Sequence, residues 1–400
     1  MRDLPRRDEV ERYLEIGLAH AGTDDSAELV QLLIASAFGP FAFFEQEADA
    51  VAIDAARNAG EQAAAMALRL GIPTLASGAL DAVSACLMSQ GRYGDMLGVD
   101  DRRMRLVPSL EDDPDELGDL YAVAAWSRFH VGHYADALRC ADLGVERALS
   151  AAPQFGLHCL VWRIMALFRL GRWDEMLEAH DLLERTLGDR RDDPPRPHLR
   201  AFAVAALVHE IRGERPASDR QLMVVEAADD AQKTRSVTGP AWIAELKARR
   251  GQLPEARAWL GRLKWLEGRG QALEARCELV AAEGSWDEAV GAALEARSHA
   301  AECGLLVLPS FADRLDGRAA LARGDPGAAI VPLEDASAGF DAAGARWERA
   351  RTDLDLAEAR LALGDPEAAS ARLDGAVRTF EELRSERELA RARELQARLG

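Results

Sequence analysis

Small and apolar side chains return at fixed distances from a series of glycines along the chain. The block GRYGDML begins at Gly91, and related blocks begin at Gly132, Gly171, Gly213, Gly251, Gly284, Gly324 and Gly364. Successive glycines of this series are 41, 39, 42, 38, 33, 40 and 40 residues apart. A nearly constant period of this length is typical of repeat architectures, in which each repeat is one supersecondary unit.

The residues on either side of each glycine predict two helices joined by a turn. A glycine just past a helix provides the left-handed backbone that commonly ends it. Asp325-Pro326 and Asp365-Pro366 then have the pattern of an N-cap followed by proline in the first helical position. Ser285 and Glu288 have the spacing of a capping box. Each block therefore predicts the turn of a helical hairpin.

Fixed positions around the glycines also predict how the hairpins pack. Five residues after the glycine the side chain is small or slender, at Met96, Ala137, Met176, Ala256, Ala289, Ala329 and Ala369. Seven residues before it stand Ser84, Ala125, Ala206, Ala244, Cys277, Gly317 and Ala357, with Ile164 as the exception. Small residues on both helices allow their axes to approach closely. Two residues after the glycine, aromatic side chains that can wedge between hairpins recur at Tyr93, Tyr134, Trp173 and Trp286.

This combination of glycine, aromatic, acidic and small residues resembles the tetratricopeptide consensus over roughly residues 70–400. The resemblance implies an all-α, right-handed superhelical solenoid of antiparallel helical hairpins, with about eight or nine repeats. The period near 39 implies longer loops between hairpins than the usual 34-residue repeat has. We expect residues 1–70 to form a divergent N-terminal hairpin region or cap, and residues 71–400 to form the solenoid. The charged segments near 108–118 and 188–198 are predicted long loops within one continuous array.

Composition supports the helical prediction and narrows the class of partner. Ala, Leu, Arg and Glu dominate the sequence, and all four favour helices. The formal charge of −19 opposes binding to nucleic acid or to an anionic membrane, because both carry negative charge. We therefore expect neither to be a direct partner. Only three of the 49 basic residues are lysines, which we interpret mainly as the composition of a GC-rich bacterial genome.

Three features predict a cytoplasmic protein. The five cysteines, at positions 86, 140, 159, 277 and 303, are odd in number and widely spaced, which argues against a disulfide framework or a zinc cluster. The N-terminus lacks the apolar segment of a secretory signal. The uncharged run Leu29 to Phe44 is shorter than the ~20 residues of a membrane span. Because Gly39-Pro40 should break a helix there, we expect a buried hairpin.

The segment that begins FADRLDGRAALARGDPGAAIVPLEDA at Phe311 has a narrower resemblance. It is similar to the C-terminal helical repeats of bacterial AAA-ATPase-linked class III nucleotide cyclases and of LuxR-type ATPase regulators. The resemblance implies a sensor or partner-binding arm of a signalling ATPase or cyclase module. The sequence contains no phosphate-binding loop, cyclase metal site or helix-turn-helix to accompany it.

Candidate catalytic and metal-binding residues each have a simpler structural interpretation. His130 and His133 straddle a turn glycine and lack a third metal ligand. His209-Glu210 lacks the second histidine of a zinc-protease helix. Cys159 beside His158 has no assignable third partner for nucleophilic catalysis, and the acidic run Glu111 to Asp119 lacks the alternation of a calcium-binding loop. We therefore expect no enzyme activity, no cofactor and no metal.

A binding groove is the better-supported hypothesis. In tetratricopeptide arrays the first helix of each hairpin lines a concave groove, so residues at fixed offsets before each glycine should face it. These are Trp126, His130, Met165, Arg169 and Arg200 in the first half, and Glu245, Arg249, Glu278, Arg314, Arg318, Arg351 and Glu358 in the second. The alternative is that these charges pair with one another along solvated helices.

The sequence thus supports three functions of different classes. The leading prediction is a non-catalytic scaffold that binds an extended peptide or a protein partner in its groove. The second is the regulatory arm of a signalling ATPase, nucleotide cyclase or transcription regulator. The third, an enzyme built on a helical-repeat scaffold, would require a convergent set of polar residues that the sequence does not display.

Overall fold

The computed structural model describes residues 7–42, 49–231, 239–262 and 268–399, and all regular structure in these ranges is helical. After the first helix, α1 (Arg7–His20), which packs on α2, the helices alternate between an inner and an outer row. The inner row contains α2 (Ala27–Ala42), α4 (Pro73–Ser89), α6 (Pro114–Val131), α8 (Pro153–Arg169), α10 (Leu199–Ile211), α12 (Pro240–Arg249), α14 (Arg269–Glu283), α16 (Leu308–Ala322), α18 (Arg346–Ala362) and α20 (Glu386–Ala397). The outer row contains α3 (Ala50–Leu70), α5 (Tyr93–Met104), α7 (Tyr134–Ala148), α9 (Trp173–Leu187), α11 (Arg215–Ala231), α13 (Leu253–Leu260), α15 (Trp286–Cys303), α17 (Pro326–Ala342) and α19 (Pro366–Leu383).

Each inner helix packs against the outer helix that follows it and against the next inner helix. This repeated contact makes the chain a solenoid of tetratricopeptide-like helical hairpins, as the glycine period predicted. The N-terminal hairpin α2–α3 packs on α4 as later hairpins pack on theirs. Within the part of the chain that the structure describes, no helix is long and apolar enough to cross a membrane.

The predicted hairpin turns are confirmed at all eight glycines of the series. Their φ angles lie between 68° and 108°, the left-handed region that favours glycine. The carboxylates of Asp325 and Asp365 accept hydrogen bonds from backbone N–H groups three residues later, at 3.0 and 3.1 Å, so both predicted caps are confirmed. The predicted capping box at Ser285 is wrong. The Ser285 hydroxyl forms no cap hydrogen bond and donates to the Glu283 carboxylate instead.

Most of the small residues predicted at the helix contacts lie in one large core, and Ala329 lies in a smaller cluster beside it. Ala137, Ala256 and Ala289 have no exposed surface, and Trp173 is buried with its indole N–H donating to the Phe168 carbonyl at 3.0 Å. Close approach of the helices therefore depends on these alanines, as expected. All five cysteines are buried free thiols.

Two expectations about the loops require correction. The helix α2 continues through Gly39-Pro40 to Ala42 because a proline in the last turn disturbs few intrahelical hydrogen bonds; residues 43 and 44 of the apolar run lie outside the described residues. The acidic run is mostly helical, since Asp113 caps a helix that begins at Pro114. The segment 188–198 is a loop with two short 3-10 turns.

The acidic run has a structural role that its composition did not reveal. Arg103 of α5 is buried, and its guanidinium contacts Glu116 at 2.9 Å and Asp119 at 2.6 Å on α6. The same guanidinium contacts Asp81 of α4 at 2.9 Å. Three carboxylates thus converge on one arginine and connect consecutive hairpins. Burial, together with the nearby negative charge of Asp119, raises the pKa of Asp81 to about 7.

The array closes on itself, because turns of the first half (α2–α11) contact loops of the second half (α12–α20). The backbone N–H of Leu306 donates to the Val131 carbonyl at 2.9 Å. At the adjacent Gly132, a Cβ atom would lie only 2.6 Å from a methyl group of Val307. A side chain at this turn would therefore collide with the second half.

Further contacts between the halves lie around α9 and α10. The rings of Trp173 and Trp347 meet edge to face with their centroids 5.6 Å apart. Arg212 donates from Nε to the Leu383 carbonyl at 3.1 Å. We call these contacts, together with those at Leu306 and Val307 and the ion pair between Asp174 and Arg384, the seam.

Candidate functional site

A cluster of aromatic and basic side chains lies on the inner helices α6, α8 and α10 of the first half. It consists of Trp126, His130, His158, Trp162 and Arg200, which we call the aromatic patch. The ring centroid of His130 lies 5.2 Å from that of Trp126 and 5.6 Å from that of Trp162. The guanidinium carbon of Arg200 lies 4.4 Å from the Trp162 ring centroid, in a cation–π contact. Three consecutive inner helices thus contribute to one cluster, in which Trp126, Trp162 and Arg200 are buried and the two histidines are partly exposed.

Both imidazoles of the patch are neutral at pH 7. Burial lowers the pKa of His130 to about 3, and the positive charges of Arg200 and Arg169 oppose its protonation further. Burial and the charge of Arg200 lower the pKa of His158 to about 4. The two rings remain partly exposed, so they offer neutral aromatic faces to a ligand.

The indole N–H groups of Trp126 and Trp162 have no hydrogen-bond acceptor among the described residues. A buried donor without an acceptor is uncommon in folded proteins and has an energetic cost. Here two such donors lie in one patch, with their ring centroids 6.3 Å apart. An acceptor such as a peptide carbonyl or a carboxylate would satisfy them.

A narrow cleft between the halves adjoins the patch. Its first-half wall includes His130, Tyr134 and Arg169, and its second-half wall includes Gln271 and Glu274 of α14. Arg169 is buried and forms an ion pair with Glu274 across the cleft. The cavity volume is about 10 Å³, which holds about one water molecule.

The structure brings together only part of the predicted first-half groove. Trp126, His130 and Arg200 lie in the aromatic patch, and Arg169 lies beside it in the cleft. Met165 has no exposed surface and belongs to the hydrophobic core, so it is inaccessible to a ligand in this structure. Its offset from the turn glycine places it on the side of α8 that packs against neighbouring helices.

The predicted charges of the second half pair with one another across the interior. Arg314 is 1% exposed and contacts Glu278 at 2.6 Å and Glu348 at 2.7 Å. Arg351 pairs with the same two glutamates and lies 3.8 Å from Glu245. Burial opposes ionisation of Glu278, but Arg314 and Arg351 hold its pKa well below the usual range. For Glu245, burial dominates and raises the pKa to about 7.

The remaining predicted residues of the second half are also engaged. Arg249 forms two hydrogen bonds with Glu388, at 2.7 and 2.9 Å. Arg318 lies 3.9 Å from Asp355, and the half-exposed Glu358 pairs with an arginine of α20. The predicted groove charges therefore pair with one another, as the alternative in the sequence analysis expected. They pair across the interior of the array and not along solvated helices.

Sequence reasoning missed Trp162, Glu274, Glu348 and Glu388, although each contacts a predicted residue, and it considered His158 only as a partner for Cys159. The offsets counted from the turn glycines did not select Trp162, which lies on the inner face one turn from His158. The three glutamates act across the superhelix, between residues separated by as many as 139 positions. No local pattern marks such a pair.

The other chemical candidates are placed apart or engaged in packing. His130 faces the interior, whereas His133 is exposed at the start of α7. The Cys159 thiol donates to the Gly118 carbonyl at 3.2 Å, and burial raises its pKa to about 12, so it is not a thiolate. His209 contacts Glu214 of its own turn at 2.6 Å.

Comparison with known proteins gives similar solved structures but no family. No protein-family model and no curated protein matches the chain. A Rap protein complexed with Competence and Sporulation Factor is 11% identical, with 94% of this chain and 91% of that one covered and a TM-score of 0.47. The APC/C hetero-tetramer Cut9–Hcn1 is 12% identical, with 99% and 96% covered and a TM-score of 0.31. The P58(IPK) TPR domain is 14% identical, with 98% and 99% covered and a TM-score of 0.26.

Proposed function

We propose that the chain is a protein-interaction scaffold that binds a peptide segment of a partner against the aromatic patch. The observation that carries this proposal is the pair of indole donors, on Trp126 and Trp162, that lack acceptors beside neutral imidazole rings and Arg200. Tryptophan and arginine are the side chains most often responsible for binding energy at protein interfaces. A peptide would supply carbonyl acceptors to the indoles and apolar or acidic side chains to the rings and the guanidinium.

The second half contributes less to this binding surface than the sequence suggested. Its arginines and glutamates already satisfy one another, so a partner would have to replace existing ion pairs. Reversal of Arg314 to Glu would place a third carboxylate beside Glu278 and Glu348 in a buried site. Such a variant would test folding and not binding.

A matched pair of variants tests the proposal. The patch variant is His158→Ala with Arg200→Gln; the control is His133→Ala with Arg139→Gln, which changes the same residue types at exposed positions. Each chain captures partners from the native organism, and recovered proteins are quantified by mass spectrometry. We expect a partner recovered by wild type and control to fall at least about tenfold with the patch variant. Equal recovery with all three chains, each shown to be folded by circular dichroism, would contradict the proposal.

A second candidate function is a regulatory arm for a signalling ATPase, a nucleotide cyclase or a transcription regulator. It is favoured by the resemblance of the segment from Phe311, which covers α16 to α19. This function predicts that the captured partner contains an ATPase or cyclase module, or that such a module is encoded next to or in frame with this chain. A partner whose nucleotide turnover does not change when the chain is added would argue against it.

A further inference from the structure

The closed array leaves no room for a peptide in the cleft beside the aromatic patch. The cavity between His130 and Gln271 has the volume of about one water molecule. The loop around Leu306 and the first turn of α14 form the opposite wall. Access to that side of the patch therefore requires the two halves to separate.

Separation along the seam requires the contacts between the halves to break while each hairpin stays folded. Solenoid hairpins are held mainly by their immediate neighbours, so the halves can move apart without unfolding any hairpin. The contacts that cross between the halves include the Leu306–Val131 backbone hydrogen bond, the Arg212 hydrogen bond to the Leu383 carbonyl, the Trp173–Trp347 contact, and the ion pairs Asp174–Arg384 and Arg169–Glu274. Asp174 and Arg384 are both exposed, so their ion pair adds only weakly to closure. Opening must also separate the buried rings of Trp173 and Trp347 and the buried Arg169–Glu274 pair.

The ion pairs of the seam are concentrated on Asp174. Its carboxylate pairs with Arg212, at 2.8 Å, and with Arg384 from the second half. Arg384 has a φ of 58° and is the one non-glycine with positive φ among the described residues. A side chain in this conformation is strained, and glycine would relieve the strain. The presence of arginine there therefore points to the contact that its side chain makes.

We propose that the seam is an autoinhibitory latch, and that the array opens along it to admit a partner to the inner face. This inference rests on the proposed function, which places the partner at the aromatic patch. Asp174 and Arg384 hold the latch, and the Arg212 hydrogen bond to the Leu383 carbonyl supports them. A partner that occupies the patch stabilises the open form, because it replaces second-half contacts with its own.

The test measures opening without any partner. Spin labels at Met223→Cys on α11 and Val331→Cys on α17, both exposed positions in different halves, report the distance between the halves. The latch variant is Asp174→Ala with Arg384→Gly. The control is Glu381→Ala with Arg393→Ala, an exposed ion pair of 3.1 Å within the second half. A disulfide between Gly171→Cys and Arg346→Cys provides a locked form, since a Cβ at 171 would lie 3.2 Å from that of Arg346. A cysteine is strained at the positive φ of residue 171, so the reduced form of the same variant serves as its reference.

We expect the latch variant to shift the label distance towards longer values, while the control matches the wild type. The locked form should keep the short distance until it is reduced. As a second readout, N-ethylmaleimide should label a Gln271→Cys side chain in the cleft at least about threefold faster in the latch variant. If distances and labelling rates of the latch variant equal those of the locked form, even at high salt, the inference is wrong.

Failure of the latch and failure of the proposed function give different results. A chain that opens but loses no partner when the patch is changed would contradict the binding proposal alone. A partner that binds the patch equally well in the locked and reduced forms would contradict the latch alone. If the latch exists, reduction of the locked form restores partner recovery to the wild-type level.

Discussion

Arg249 and Glu388 form two hydrogen bonds, of 2.7 and 2.9 Å, that join α12 to the last inner helix across the interior. Burial opposes ionisation of Glu388, but Arg249 outweighs it and lowers the pKa of the carboxyl to about 2. Glu388→Gln should therefore lower the free energy of unfolding by on the order of 3 kcal/mol at pH 7, because Arg249 is left buried without a counter-charge. Urea denaturation of both chains measures the difference.

The same pair has a defined pH dependence. Because the folded pKa of Glu388 is depressed, its stabilisation is present above the unfolded pKa near 4.3 and is lost as pH falls towards 2. The cost of Glu388→Gln should shrink over that range. The exchanged pair Arg249→Glu with Glu388→Arg should recover part of the stability at pH 7. A double variant no more stable than Glu388→Gln would show that attraction between the two groups is not the cause.

Asp100 predicts a pH dependence of the opposite sign. Burial raises its pKa to about 6, although Ser127 and Arg128 favour the ionised form. The resulting stabilisation is complete below the unfolded pKa near 3.9 and is lost as pH rises through 6. Asp100→Asn removes this dependence. The free energy of unfolding of the variant, relative to wild type, should therefore rise by on the order of 2 kcal/mol between pH 4 and pH 7.5.

Urea denaturation of Asp100→Asn at both pH values provides that comparison. Asp101→Asn is the matched control, since it changes the adjacent, exposed carboxylate on the same helix. An Asp100→Asn curve parallel to that of wild type would show that the buried carboxyl does not titrate between the two states.

The helix caps give a direct comparison between two turns. Asp325→Ala should lower the stability by about 1 kcal/mol, because the backbone N–H of Ala328 loses its acceptor. Ser285→Ala should lower the stability by only about 0.3 kcal/mol, because Ser285 makes no cap hydrogen bond at the start of its helix. Thermal unfolding of the two variants measures both effects. Equal losses would mean that the Ser285 hydroxyl does cap its helix in solution.

Two helical glycines should respond to alanine in opposite directions. At Gly144 of α7 a Cβ would lie 2.2 Å from the Cys159 sulfur, so Gly144→Ala should destabilise the protein by about 1–3 kcal/mol. At Gly375 of α19 a Cβ would contact nothing within 4 Å. Gly375→Ala should therefore stabilise by about 0.5–1 kcal/mol through helix propensity. Chemical denaturation distinguishes the two, and a loss at Gly375 would contradict the open space described there.

The fold could be predicted because its determinants are local. Each hairpin contains its own turn glycine and the small residue five positions later, and two hairpins also contain the proline after Asp325 or Asp365. The spacing of these residues therefore reveals the hairpin. Ser285 shows the limit of such patterns, since its spacing fitted a capping box while its side chain bonds elsewhere. The same limit applies to the acidic run, whose Glu116 and Asp119 serve a buried arginine that lies outside the run.

Only part of the candidate site could be predicted, because some of its contacts join residues far apart in the sequence. Trp126 and His130 lie on one helix, so their shared face follows from helical spacing. Glu274 faces Arg169 only because the superhelix brings α14 back to α8, over a separation of 105 residues. The curvature that creates this contact is the sum of small rotations at each hairpin, and no residue encodes it alone.

The hydrogen bond from Arg212 to the Leu383 carbonyl joins residues 171 positions apart. Helical arrays with only neighbouring contacts can unravel one repeat at a time from an end, and they fold from local contacts. In this chain a middle hairpin contacts a hairpin near the C-terminus. Partial unfolding of either hairpin therefore removes contacts from the other and exposes its surface to solvent. Unfolding should consequently be more cooperative than in an open array of equal length, and completion of the native state must wait until the later hairpins have formed.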